Sequence, residues 1–111
     1  MNLDERKLLK DILISINNID EIKKQFKGFD EYKKSITFRS AIERQLAIIG
    51  EAMVQLKNLK SKIEVINSKQ IITLRNRLVH AYDSINDEII WGILIRHIPE
   101  LKKEVKELLK K

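Results

Sequence analysis

Residues 30–60, DEYKKSITFRSAIERQLAIIGEAMVQLKNLK, show a long pattern of apolar residues at helical spacing. Most of their apolar residues recur every three or four positions, the period of a helix that buries one face. These residues are Ile36, Phe38, Ile42, Leu46, Ile49, Met53, Leu56 and Leu59. Gly50 lies inside the pattern, and a glycine there costs roughly 1 kcal/mol relative to alanine, which indicates a close approach by another helix. The segment therefore predicts a long helix packed closely against a neighbour.

The segments on either side show the same spacing. A first helix is predicted from Leu9 to Phe26, and Gly28 is expected to end it because glycine is enriched just past helix ends. A third helix is predicted to begin at an N-cap formed by Asn67 or Ser68 and to end near residues 80–82. Its inward-facing residues are expected to be Ile71, Ile72, Leu74, Leu78 and Val79.

The C-terminal third predicts two more helical segments. The fourth helix is marked by Ile89, Ile90, Ile93, Leu94 and Ile98. Pro99 then indicates either a kink or the first turn of a fifth helix that ends in Leu108 and Leu109. With only three glycines and one proline, the chain should have long helices and short loops. We expect one all-α domain over residues 1–111, an antiparallel four-helix bundle with a short additional C-terminal helix.

Composition narrows the function without deciding it. Twenty-two Lys and Arg against sixteen Asp and Glu give a net charge of +6, which suits either a polyanionic partner or simply solvated helix faces. The chain has no cysteine and two histidines, so thiolate metal sites are excluded and we expect neither metal nor cofactor. A charged N-terminus and the lack of an eighteen-residue apolar run predict a cytoplasmic protein without a membrane segment.

Residues 75–82, RNRLVHAY, hold the densest group of chemically useful side chains: Arg75, Asn76, Arg77, His80 and Tyr82. Asn76 and His80 share one helix face, whereas Arg75 and His80 lie about 140° apart on a continuous helix. Cooperation between them requires Arg75 to curl around the helix, the helix to end early, or two chains to meet. On these residues alone, a charged helix end that complements the helix dipole remains an alternative.

The run from Arg75 to Tyr82 resembles the Arg-x4-His-x-Tyr motif of HepT-like toxins, within the HEPN domains. Residues 41–52, AIERQLAIIGEA, are similar to the second helix of that family, and residues 87–91, DEIIW, to the segment after its motif. The three blocks occur in order and extend the resemblance over nearly the whole chain. One departure is residues 70–74, QIITL, where many relatives have an aromatic and Gly-Met pattern.

This resemblance implies a HEPN-like bundle and a metal-independent endoribonuclease, the toxin of a toxin–antitoxin system, in which the RNA 2′-hydroxyl attacks the adjacent phosphate. His80 would move the proton, because an unperturbed imidazole titrates near pH 6.5. Arg75 would bind the phosphate and stabilise the charge of the transition state, with Asn76 in a supporting role. Basic side chains would attract the RNA backbone, namely Arg77, Arg39 and Arg44, the last of which could equally pair with an acid.

The resemblance also implies partners. Tyr82 would accept AMP from a cognate nucleotidyltransferase antitoxin, although packing at the helix edge or base stacking would also suit it. Relatives of this type are homodimers whose two motifs line one groove. Two other functions stay open: a non-catalytic module that presents substrate or nucleotide to a nucleotidyltransferase, and a plain dimerisation bundle.

Three further residues have expected roles. Glu51 is expected to be buried or to line a groove, paired with an arginine. Trp91 is expected in the core or an interface. His97 has no neighbouring nucleophile, and a surface or helix-cap role is expected for it.

Overall fold

The computed structural model describes residues 1–65, 68–80 and 86–111. These residues form an all-helical bundle, and no β-strand occurs among them. The helices are α1 (Leu3–Lys23), α2 (Phe29–Lys34), α3 (Ile36–Asn58), α4 (Ser68–His80), α5 (Asp87–Gly92) and α6 (Ile98–Lys110), with a π-helical segment (Ile93–His97) joining the last two. The predicted fold class is confirmed.

Helix α1 begins at a capping box. The Asn2 side chain accepts a hydrogen bond from the Glu5 backbone N–H at 2.8 Å, and the Glu5 carboxylate accepts one from the Asn2 N–H at 2.9 Å. This reciprocal pair satisfies two of the backbone donors that a helix start otherwise leaves free.

Helix α1 runs antiparallel to both α3 and α6. Near its C-terminal end, the Asn18 side-chain amide donates to Gln45 of α3 at 3.2 Å. The same end is joined to α6 by Lys102, which pairs with Asp20 at 2.7 Å. At the opposite end, the Arg6 guanidinium donates to the Leu109 carbonyl oxygen at 3.1 Å. Helix α1 therefore connects the central helix α3 to the C-terminal helix.

Two predicted helix boundaries are wrong. Helix α1 ends at Lys23 rather than at Gly28, which instead precedes α2 with φ of 125°, a conformation that favours glycine. The helix expected over residues 30–60 is divided at Ser35, whose backbone is extended. The Ser35 hydroxyl accepts a hydrogen bond from the Phe38 N–H at 3.0 Å, so this residue caps α3 instead of continuing α2.

A continuous core is formed by the inward faces of α1, α3, α4 and the C-terminal helices. The fully buried large side chains are Tyr32, Phe38, Leu9, Ile12, Ile16, Ile19, Ile42, Leu46, Ile49, Ile71, Ile90 and Leu94. Burying one such side chain stabilises the fold by about 1.5–3 kcal/mol. On α4, Ile71 and Leu74 are buried as predicted, but Val79 is 38% exposed and does not face inward.

Aromatic rings hold α2 against the rest of the bundle. Phe26 stacks on Phe38 with ring centroids 4.0 Å apart, and Tyr32 meets the edge of Phe38 at 5.1 Å. The ring centroid of Trp91 in α5 lies 5.4 Å from that of Tyr32 and 5.9 Å from that of Phe29, and this partly buried side chain packs against the core. Burial raises the pKa of the Tyr32 hydroxyl, which has no hydrogen-bond partner among the described residues.

The C-terminal helical path runs from Asp87 to Lys110 without interruption. Asn86 caps its start, accepting from the Glu88 N–H at 2.7 Å. Pro99 lies in the first turn of α6, as one of the two predictions for it states. Because proline has no N–H and its ring crowds the carbonyl four residues earlier, the wider π-helical turn before it accommodates the ring. None of the helices in the described residues is long and apolar enough to cross a membrane.

Candidate active site

Helix α4 crosses α3 at Gly50, and the crossing places Arg75. A Cβ atom at Gly50 would lie 3.3 Å from the Ile71 carbonyl oxygen and 2.8 Å from Cγ of Arg75, with the Arg75 Cβ closer still. A side chain at this position would overlap the Arg75 side chain and crowd the α4 backbone, so the two helices approach each other closely. The close approach predicted from Gly50 is confirmed, and the side chain that occupies the space is Arg75.

The Arg75 guanidinium has two partners. Its Nη2 pairs with the Glu51 carboxylate of α3, and its Nη1 donates to Oδ1 of Asn76 at 3.0 Å. The Arg75 side chain is 22% exposed and that of Glu51 is 45% exposed. The expected pairing of Glu51 with an arginine is confirmed, and the guanidinium remains accessible while held from two sides.

Arg75 lines an open groove of about 530 Å³ formed by α1, α3 and α4. Arg44 and Glu51 of α3 lie in the same groove. Its wall also includes apolar side chains that face solvent, among them Ile14, which is 58% exposed, and Val79. The carboxylates of Asp11 and Glu51 balance the two arginines among the lining residues, and the apolar wall suits a second protein surface.

His80 is the last residue of α4 and is exposed. The helix is continuous from Ser68 to His80, so it does not end before the histidine and the offset of about 140° from Arg75 applies. Asn76 lies between the two: it contacts Arg75 and, four residues before His80, shares the helix face of the histidine. Within one chain, Asn76 is the link between the predicted phosphate-binding and proton-moving groups.

The other predicted RNA-binding arginines are not all brought together. Arg44 shares the groove of Arg75, whereas Arg77 lines a different cleft on the opposite side of α4. Arg39 donates to the Lys33 carbonyl oxygen and lies twelve residues before Glu51 on α3, about 18 Å along the helix axis. All three arginines are predicted to attract the RNA backbone, but the helices hold them in different places.

Tyr82, the predicted AMP acceptor, lies outside the described residues, as does Asn67. His97 occupies the N-cap position of α6, one of the two positions expected for it, although its side chain makes no capping hydrogen bond and is half-buried. Within residues 1–65, 68–80 and 86–111, no three His, Cys, Asp or Glu side chains gather closely enough to hold a metal ion.

The sequence pattern did not identify the basic residues that lie near Arg77 in space. Lys69 lies in the same cleft, two four-residue steps before Arg77 on α4, and that spacing is the signal that could have found it. Arg96 comes from the π-helical segment, and only the fold brings it to this cleft.

Burial raises the pKa of the Glu43 carboxyl, and nearby Asp87 raises it further, while Arg39 acts in the opposite direction. This cluster lies near the N-terminal end of α3, away from the groove.

Comparison with known proteins identifies relatives of the whole chain. A protein of Caldanaerobacter subterraneus subsp. tengcongensis named "Putative RNase" is 39% identical over 85 residues, which make up 76% of each chain. A Methanocaldococcus jannaschii protein with the same printed name is 36% identical over 108 residues, covering 96% of this chain and 88% of its own. The "Probable ribonuclease HepT" of Thermococcus cleftensis is 28% identical over 111 residues, 99% and 100% of the two chains. No solved structure matches this chain.

The family model described as ribonuclease HepT-like matches residues 12–108. The matched segment includes α3, α4, Arg75 and His80, and it contains all the groove-lining residues except Leu8 and Asp11. This chain belongs to the HepT-like ribonuclease family.

Proposed function

We propose that this protein is a metal-independent endoribonuclease in which Arg75 and His80 carry the chemistry. The observation that supports this most is the state of Arg75: its guanidinium is fixed by Glu51 and Asn76 yet remains accessible at a groove. A permanently charged group held in place before substrate arrives costs little reorganisation when negative charge develops.

The reaction uses the RNA as its own nucleophile. The His80 imidazole takes the proton of a 2′-hydroxyl, and the 2′-oxygen forms a bond to the adjacent phosphorus. The bond from phosphorus to the 5′-oxygen breaks, and that oxygen receives the proton, leaving a 2′,3′-cyclic phosphate and a 5′-hydroxyl. Arg75 donates two hydrogen bonds to the phosphoryl oxygens and stabilises the additional charge of the transition state.

We further propose that the active form is a homodimer. Arg75 and His80 diverge by about 140° on one helix, and a two-fold axis beside α4 would bring the motif of a second copy into the same groove. The exposed apolar residues Ile14 and Val79 in the wall beside Arg75 provide the surface for such an interface.

The biological setting we propose is a toxin controlled by a nucleotidyltransferase antitoxin that transfers AMP to Tyr82. AMP two residues from His80 would obstruct an anionic substrate and repel its phosphate. Incubation with the antitoxin and ATP should add about 329 Da per AMP, the mass of the adenylyl group. If peptide mapping finds that mass on another residue, the assignment of Tyr82 is wrong.

The activity itself is tested with purified protein and RNA in EDTA. We expect cleavage that leaves 2′,3′-cyclic phosphate ends, as determined by end-group analysis of the products. Cleavage that stops in EDTA, or that leaves 5′-phosphates, would contradict the mechanism. A protein that never cuts RNA yet binds a nucleotidyltransferase would instead be the non-catalytic partner module.

A further inference from the structure

A second cleft, separate from the groove of Arg75, lies between α4 and the π-helical segment. Its volume of about 570 Å³ is in the range of about 300–1,000 Å³ typical of ligand sites. Three cationic side chains, Lys69, Arg77 and Arg96, line it together with His97, and no acidic side chain is among the described lining residues. The cleft therefore has the charge of an anion-binding site.

The cleft residues on the α4 side form a row of basic and polar side chains that leads to His80. Lys69, Thr73 and Arg77 follow one another at four-residue intervals, and His80 comes three residues after Arg77. At 100° per residue, all four lie within about 80° of one another around the helix. A strand held along this row would pass from the cleft to the exposed imidazole.

The opposite wall is built by the π-helical turn, which ends in Arg96 and His97. Turns of this kind frequently occur at functional sites, because they displace side chains from the positions of a regular helix. Nδ1 of His97 is buried and has no hydrogen-bond partner among the described residues, although buried polar atoms are usually paired. This wall therefore contains a buried polar atom that lacks a hydrogen-bond partner among the described residues.

Between the two walls the cleft is apolar and open. Ile89, which is 50% exposed, contributes apolar surface together with the largely buried Leu74 and Ile93, and Gly92 also lines the cleft. A Cβ atom at Gly92 would meet nothing within 4 Å, and its helical backbone, φ −59° and ψ −44°, suits any residue. Glycine is therefore not required by the fold here, and its effect is to leave room in the cleft.

We propose that this cleft binds a nucleotide of a single-stranded RNA next to the phosphodiester bond that is cleaved with the help of His80. The phosphates contact Lys69, Arg77 and Arg96, and the base or ribose lies against the apolar surface beside Gly92. A single strand is required because its bases are free to enter a cleft, whereas those of a duplex are stacked inside it. This inference rests on the proposed ribonuclease function and adds a substrate-binding site to it.

The test measures RNA affinity apart from cleavage, with His80→Ala protein and a fluorescent single-stranded oligoribonucleotide in EDTA. Adding Lys69→Gln and Arg96→Gln should raise Kd at least tenfold and reduce the slope of log K against log salt by about 1.4, for two lost phosphate contacts. The matched control is Lys103→Gln with Lys106→Gln, which removes the same charge from exposed positions on α6 and should change Kd less than twofold.

A second pair of variants fills the cleft. Gly92→Glu places a carboxylate among the basic groups and should raise Kd more than the isosteric Gly92→Gln, while circular dichroism shows both folded. If His80→Ala protein binds RNA and every cleft variant binds as tightly as the control, the proposed site is wrong and the ribonuclease function stands. If the unmodified protein neither binds nor cuts RNA, the proposed function fails and the site fails with it.

Discussion

Arg75 of α4 and Glu51 of α3 form an ion pair immediately beside Gly50, where the two helices approach each other closely. The glycine admits the aliphatic part of Arg75, and the adjacent carboxylate holds its charged end. Gly50 and Glu51, two consecutive residues of α3, therefore determine the position and the orientation of the guanidinium.

Removing the carboxylate should misplace Arg75. We expect Glu51→Ala to lower kcat for RNA cleavage at least tenfold, since small displacements of a catalytic group cost up to about 100-fold in rate. Glu51→Gln still accepts a hydrogen bond and should lose less. Glu107→Ala, which breaks an exposed ion pair with Lys110, serves as the control. Full activity in Glu51→Ala would show that Arg75 needs no such support.

The two helical glycines should respond in opposite ways to alanine. Gly50→Ala places a Cβ against Arg75 and should reduce the free energy of unfolding by about 1–3 kcal/mol. Gly92→Ala meets open space and should raise it by about 0.5–1 kcal/mol, the difference in helix propensity. Urea denaturation measures both. Equal changes of the same sign would contradict the packing at the α3–α4 crossing.

The proposed dimer should depend on the exposed wall of the groove. Ile14→Arg introduces a charge there and should convert the dimer to a monomer in sedimentation velocity, with at least a tenfold loss of cleavage rate. Ile36 is more exposed, at 72%, but does not line that groove, so Ile36→Arg should leave both properties unchanged. A protein that is active as a monomer would refute the dimeric site.

Stability should depend on pH at Glu43. Its pKa is raised mainly by burial, so the folded state prefers the neutral carboxyl. The neutral carboxyl therefore stabilises the folded state most fully below the ordinary pKa of 4.5, and this stabilisation is lost as the pH rises through the raised pKa. Glu43→Gln, which stays neutral, should raise the thermal midpoint at pH 7 and leave it unchanged near pH 3.5. An equal rise at both pH values would show that ionisation is not the cause.

Features with a local cause could be predicted from the sequence. Pro99 imposes a backbone constraint that acts within one turn, and one of the two predictions for it is confirmed. Gly50 is unfavourable inside a helix, and this local cost pointed to the close approach found there. The break at Ser35 could not be found in this way, because the apolar spacing continues through it and only the hydroxyl bond to the Phe38 N–H ends one helix and starts another. A side chain that hydrogen-bonds to the backbone can end a helix without changing the spacing of the apolar residues.

The site could be predicted in part, for a related reason. Arg75, Asn76 and His80 are neighbours in sequence, so their motif identifies them. The separation of Arg77 from Arg75 is implied by their spacing, since two residues apart on a helix corresponds to about 200° around its axis. The arrival of Arg96 beside Lys69 depends instead on the path of the C-terminal helices. That relationship arises from tertiary packing and has no counterpart in residue spacing.

The most direct test of the central claim is the rate of RNA cleavage in EDTA by Arg75→Ala and His80→Ala, compared with the unmodified protein and with circular dichroism to confirm folding. Because one group stabilises the transition state and the other moves the proton, each substitution should reduce the rate at least 100-fold. Undiminished cleavage by either folded variant would contradict the account.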